Sequence, residues 1–306
     1  MASKAYELLA RIKSLCLISG TSEDDTILRM MNEVQWQLYS AHYPWRSLQD
    51  NTTTSTTDGT AYVAVPSTTA MIYTVRQTSD SPYSRLTYLS VPKFHEVIPQ
   101  PTAYSEGKPV YYSWWDSKLW LYPIPDDTYT LTIYGYKKPV NMKIYSVGTA
   151  ANTTTAWTGT STYWSTNANV DSSMYLAYQA DIRSDGTFPW VGITTVTSAT
   201  AITAAATYTG GTATGAYVAA SPSTFDESFD LLLIYGTIIL YGTTRLRDKE
   251  DLIKWSDVQY TKLLTNLIEV NKALPDFTPV MEDFSSGGSM QLGDSAYKFP
   301  FIVKDF

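Results

Sequence analysis

Residues Pro109 to Pro139 read PVYYSWWDSKLWLYPIPDDTYTLTIYGYKKP. Trp114, Trp115 and Trp120 crowd there with Tyr111, Tyr112, Tyr122, Tyr129, Tyr134 and Tyr136. Asp116-Ser117 between aromatic runs reads as a tight turn, because both side chains can bond the local backbone. Pro123 and Pro125 then interrupt any ladder, since neither has an N–H to donate. Beyond them Tyr129, Leu131, Ile133 and Gly135 alternate with Thr130, Thr132, Tyr134 and Tyr136, the period of a two-faced strand. The stretch predicts a three-stranded antiparallel meander with an aromatic face, a packing module without obvious chemistry.

Upstream, Trp45 to Tyr88 also has period two. Asn51 to Gly59 predicts a hairpin loop with Asp58-Gly59 as its tight turn. Tyr62, Ala64 and Met71 to Val75 read as strands broken at Pro66. Ser90 can cap a short helix through Val97, with Pro92 tolerated in its first turn and Pro99 and Pro101 ending it. Nearer the start, Leu8, Leu9, Ile12, Leu15 and Cys16 fall at helical spacing, with Gly20 as the stop. Ser22 is placed to cap a second helix, with acids at Glu23, Asp24 and Asp25. Its apolar stripe is Ile27, Met30, Met31, Val34, Leu38 and Ala41, and Pro44 ends it. The two make an antiparallel helix pair.

Downstream, charge nearly vanishes: from Ile144 to Pro222 only Asp171, Asp181, Arg183 and Asp185 are charged. Trp157, Tyr163, Trp164, Tyr175, Tyr178, Phe188 and Trp190 recur among Thr, Ala and Gly, with turns at Ser184-Asp185-Gly186 and Gly210-Gly211. That is expected to be an inserted all-β domain of six or so strands. Thr224 to Glu227 reads as a capping box opening a third helix. Phe229 to Tyr241, FDLLLIYGTIILY, is apolar on every face and must be covered all round. The N-terminal pair can cover one face; a fourth helix or a neighbouring subunit must cover the rest. Phe229, Leu232, Ile234, Gly236, Ile238 and Tyr241 are therefore candidate subunit-interface residues, the glycine allowing close approach. A fourth helix begins near Asp248 with Leu252, Trp255, Tyr260, Leu263, Leu264, Leu267 and Ile268 inward, and stops at Pro275. After the hinge-like Ser285 to Ser289 the chain ends in YKFPFIVKDF. Tyr297, Phe299, Pro300, Phe301, Ile302 and Phe306 are expected to dock into a partner, as an added strand.

A chain of 306 residues with 44% hydrophobic and 14% aromatic residues is not a disordered one. Its net charge of −7 lacks the basic face of a nucleic-acid grip, yet suits a wall that DNA slides past. A single cysteine, Cys16, excludes an internal disulfide and fits a reducing compartment. MASKAYELLARIK lacks a signal-peptide pattern, and no run reaches a membrane span. His42 and His95 have no ligand-spaced partners, so a zinc site is not expected. Asp126-Asp127 reads as a turn rather than a glycosidase pair, and Asp24-Asp25 as a helix start. No phosphate loop or nucleophile elbow occurs. Arg245, Arg247 and Lys249 read first as a helix C-terminus, and only then as a DNA contact. These readings argue against an enzyme, a cofactor or a metal.

Taken in order, Gln35-Trp36-x-x-Tyr39, Pro44-Trp45-Arg46, Lys108-Pro109 ahead of Trp114, Leu119 to Asp126 (LWLYPIPD) and Tyr134 to Pro139 (YGYKKP) resemble head-to-tail adaptor (connector) proteins of tailed, chiefly short-tailed, bacteriophages. Phe225 to Arg247, with its Leu-Leu-Leu-Ile-Tyr-Gly core, is similar to that family's long helix. The resemblance covers about 4–140 and 223–272, and 142–222 departs from it. The combined expectation is an α+β chain: a four-helix antiparallel bundle carrying a small antiparallel β domain, with an inserted all-β sandwich-like domain. Its parts are 1–44 (first helix pair), 45–141 (aromatic β domain), 142–222 (insert), 223–274 (second helix pair) and 275–306 (docking tail).

The resemblance implies a dodecameric ring in the virion neck, assembled in the host cytoplasm. It would sit between the portal protein and a tail nozzle or tube, and pass DNA without reading its sequence. The C-terminal extension would reach the portal. The insert is expected to point outward, using Trp157, Trp164, Tyr175 and Trp190 to meet a tail fibre, tailspike or capsid element. Another tail ring, such as a nozzle or tail-completion protein, and a carbohydrate-binding attachment protein remain alternatives.

Overall fold

The computed structural model describes residues 3–42, 45–79, 84–99, 105–245 and 249–273. Five α-helices are present there: α1 (Ala5–Cys16), α2 (Asp24–His42), α3 (Val91–Val97), α4 (Asp230–Arg245) and α5 (Glu250–Ala273). In α1 the buried Leu8, Leu9, Ile12 and Cys16 line one face, whereas Leu15 is 42% exposed, outside the expected stripe. The helix stops at Leu17, not Gly20. Leu17 takes the left-handed conformation (φ 53°), and its N–H caps the Lys13 and Ser14 carbonyls. Helix α2 starts at Asp24, so Glu23 rather than Ser22 precedes it. Ile27, Met30, Met31, Val34 and Leu38 are buried as the spacing predicts, while Ala41 is exposed.

The stretch Pro109–Pro139 does not form one meander. Strands β6 (Tyr111–Trp115) and β7 (Lys118–Tyr122) make the expected hairpin, with Asp116 and Ser117 both left-handed in its turn. The free edge of β7 is taken by β2 (Tyr62–Ala64), with Tyr62 opposite Trp120. Pro123 and Pro125 lead the chain across to a second sheet. There β8 (Thr130–Lys137) lies between β1 (Gln49–Ser55) and β3 (Thr69–Gln77). The Thr-rich run expected as a loop is thus a strand. Its β-branched residues suit the pleat, and Thr52, Thr53 and Thr54 pair with Ile133, Thr132 and Leu131.

With β4 (Ser84–Arg85) and β5 (Thr87–Tyr88) the two sheets run β1-β8-β3-β4 and β2-β7-β6-β5. All pairs are antiparallel except β5–β6. Val63, Tyr112, Leu119 and Leu121 from one sheet meet Ile72, Val75, Leu131 and Ile133 from the other in a shared core. The opposite face of β6–β7 is the predicted aromatic one: Trp115 stacks on Trp120 at 4.8 Å, with Tyr62 against Trp120 and Phe94 against Trp115.

Residues 144–220 hold eight strands, more than the six or so expected: β9 (Ile144–Tyr145), β10 (Thr149–Thr153), β11 (Ala156–Thr160), β12 (Tyr175–Tyr178), β13 (Val191–Ser198), β14 (Ala201–Ala204), β15 (Thr214–Gly215) and β16 (Tyr217–Ala220). They form one continuous sheet, β15-β10-β11-β14-β13-β12-β16-β9, rather than two separate ones. The sheet folds over its own core. Trp157 on β11 stacks on Tyr178 of β12 at 4.9 Å although β14 and β13 intervene. Register shifts in β13, between Ile193 and Thr195 and between Val196 and Ser198, lie between the two halves. Bulges of this kind bend a strand.

Candidate interaction surfaces

Helix α4 begins after a 3-10 turn capped by Asp226, whose carboxylate accepts from Ser228 N. Thr224 was expected to cap, but its hydroxyl instead accepts from Val140 N at 3.0 Å. The apolar helix is then enclosed by its own chain. Phe229, Leu232, Ile234, Gly236, Ile238 and Tyr241 are all buried, among α1, α2 and α5. Of the two covers expected, a fourth helix or a neighbour, the fourth helix α5 closes most of this face, and only Ile234 of the six also borders an open groove. The glycines serve the same enclosure. A Cβ on Gly236 would meet Val34 of α2 at 2.7 Å and Tyr260 of α5 at 3.1 Å; one on Gly242 would meet Ile253 at 2.5 Å.

One seam of α4 stays open, along α1. Leu231 is 37% exposed there, beside a groove of about 260 Å³ lined by Arg11, Ser14, Leu15, Leu231, Ile234 and Tyr235. Trp255, expected inward, stands edge-on against Tyr235 at 5.3 Å and is 46% exposed. Leu252, Tyr260, Leu263, Leu264, Leu267 and Ile268 pack partly buried against the bundle core, as the α5 stripe predicts.

The insert's aromatics divide differently from expectation. Trp157 and Trp164 are core residues, 1% and 0% exposed, so neither presents a surface to a partner. An indole this large is drawn inside wherever the sheet can fold round it. Tyr175 and Trp190 face the helical bundle. Lys4 Nζ lies 4.0 Å from the Tyr175 ring centroid, and Trp190 Nε1 donates to Glu7 Oε1 at 2.9 Å. Phe188 N donates to the same oxygen at 3.3 Å, and the Phe188 ring meets Tyr6 edge-on. On this module the exposed large side chains are instead Val147, Tyr163 and Ile182.

A clasp on α2 holds the stem of the insert, and it was not anticipated. Asn32 exchanges two hydrogen bonds with the Met142 backbone, and Trp36 Nε1 donates to Asn141 Oδ1 at 2.8 Å. Gln35, fully buried, donates to Val140 O at 2.9 Å and accepts from Thr224 N at 3.2 Å. One side chain thus satisfies both the outgoing and the returning chain. The only hint in the sequence is a glutamine inside an otherwise apolar stripe.

Beside the stem, burial holds the Asp230 carboxyl above its usual range, while a hydrogen bond from Ser3 Oγ and the nearby Arg11 oppose this. Burial likewise lowers Lys4, against the pull of Glu7, Asp230 and Glu227. Cys16 is buried, and burial raises its thiol despite Lys249, whose Nζ donates to Cys16 O at 2.5 Å.

Asp126 accepts from the Tyr129 hydroxyl at 2.7 Å and Asp127 from Thr128 N at 2.6 Å, which makes them turn residues. Asp24, at the start of α2, pairs with Lys13 at 2.5 Å. His95 packs on Trp115 at 5.2 Å. Among the described residues no group of His, Cys, Asp and Glu could hold a metal, and no helix is long and apolar enough to cross a membrane. Arg247 and the tail positions Tyr297, Phe299, Pro300, Phe301, Ile302 and Phe306 lie outside the described residues.

No curated protein matches the chain significantly. A family model described as SU10 adaptor protein matches residues 3–186, well over half of the 306. The match takes in α1, α2 and both four-stranded sheets, runs into the insert as far as the turn before Phe188, and stops short of α4 and α5. It therefore covers the first resembling segment and part of the module read as a departure, but not the long helix. The chain belongs to the SU10 adaptor protein family, phage structural proteins of the virion.

Proposed function

We propose that this adaptor is a head-to-tail connector: a homo-oligomeric ring, dodecameric by resemblance, that joins the portal to a tail nozzle or tube and continues the DNA channel. The observation that carries the reading is the family match across 3–186. The acidic balance, −7 overall, agrees with a wall past which DNA slides. The mechanism is mechanical, and no residue has a catalytic role in it. The apolar segment Tyr297 to Phe306 supplies the portal contact, and the module 142–222 is an outward arm for a fibre, tailspike or capsid element. With Trp157 and Trp164 buried, a glycan-binding face built on those rings loses its main support.

Light scattering on the purified chain, alone and mixed with its portal ring, tests the proposal. A monomer alone that adds to the portal as about twelve copies, and does so less well without residues 285–306, is the expected result. A stable trimer, or a monomer indifferent to the portal, would sink it.

A further inference from the structure

One seam of α4 is left open by its own chain, and α2 presents an exposed Trp36. We propose that a second copy of this chain occupies the α1–α4 groove, inserting Trp36 against Leu231 and Tyr235 and setting Glu33 beside Arg11. The inference rests on the homo-oligomeric part of the connector reading and adds the contact that would build it.

Four observations carry it. Leu15 and Leu231, 42% and 37% exposed, line the groove with Ile234 and Tyr235, and Trp255, 46% exposed, flanks it through its edge-on contact with Tyr235. Arg11, exposed at the rim one helical turn before Leu15, puts one positive charge there, near Asp230. On α2, Trp36 is 39% exposed and already oriented by its bond to Asn141 and by Tyr39 at 5.7 Å, so docking it costs little side-chain entropy. Glu33, exposed one turn earlier, offers the charge opposite to Arg11.

The placement also suits a ring. Val34 faces Gly236 of α4, and Trp36, two residues on, is about 200° round α2 and points away from α4. Leu231, five residues before Gly236, is about 140° round α4 on the other side. Knob and groove therefore leave opposite flanks of the bundle. That makes a head-to-tail contact between different patches, which generates rings when the rotation closes.

The test uses the full chain with Arg11→Glu, Glu33→Arg, the two together, and Trp36→Ala. Self-association is followed by sedimentation velocity alone and on the portal ring, and circular dichroism checks that each variant is folded. Each single change is expected to weaken association at least about tenfold, and the double charge reversal to recover most of it. If the wild type assembles and the reversals change nothing, or the double reversal does not recover, the contact is wrong while the connector reading stands. A wild-type chain that stays a single copy both alone and on the portal overturns the two together.

Discussion

Asp230 is an acid at a position with 6% exposure, one of its oxygens accepting from Ser3 and the other without a hydrogen-bond partner among the described residues. Burial is the main reason its carboxyl titrates above the ordinary range. The folded state then holds the proton more tightly than the unfolded chain does. Its contribution is complete below the ordinary carboxylate range and is lost as pH rises through the folded value. Asp230→Asn removes that loss, and Lys4 keeps Glu7 as a counter-charge. The variant is expected to unfold a few degrees higher than wild type near neutral pH, the difference closing as pH falls into the carboxylate range. Thermal melts across that pH series check it. Trp157 and Trp164 show the limit of reading single residues: their size predicted an important contact, yet not whether that contact lies inside or outside.

At the scale of elements, α1 joins the helical bundle to the insert. Its backbone bonds the returning chain, Ala5 N to Ser221 O at 2.9 Å, and Glu7 takes Trp190, Phe188 N and Lys4 N on one carboxylate. Removing that acceptor leaves partly buried donors unpaired, at about 1–3 kcal/mol. Glu7→Ala is therefore expected to speed amide exchange at Phe188 and Trp190 while exchange in α4 stays unchanged; equal rates at the two aromatic residues would refute the fastening role. The helices themselves were legible, because a 3.6 period survives whatever packs against it. The meander was not. Strand partners depend on which edge is free, and β2 reaches β7 from far upstream.

For the whole molecule, the stem is the decisive feature. Lys143 N meets Ser221 Oγ at 2.7 Å and Val140 N meets Thr224 Oγ1 at 3.0 Å, so the chain leaves and returns at one place. Replacing 142–222 by a short linker is expected to leave a folded bundle that still forms its ring on the portal and loses one outer partner. Analytical ultracentrifugation and pull-down from phage structural proteins report the two outcomes, and collapse of the ring would show that the module is structural instead.

Local pattern determined a good part of this protein. The helix stripes, the Asp116-Ser117 hairpin, the prolines that end β7 and the low-charge aromatic module all follow from periodicity and backbone chemistry within a few residues. The ordered motifs from Gln35 to Pro139 pointed to a phage adaptor, and that span lies inside the family match. Only tertiary structure decided which apolar surfaces remain uncovered. Whether Leu232 or Leu231 meets solvent depends on where α5 returns, and whether Trp157 or Tyr163 is exposed depends on how the sheet folds over. Burial is a property of the assembled neighbours, and a residue's own chemistry does not carry it.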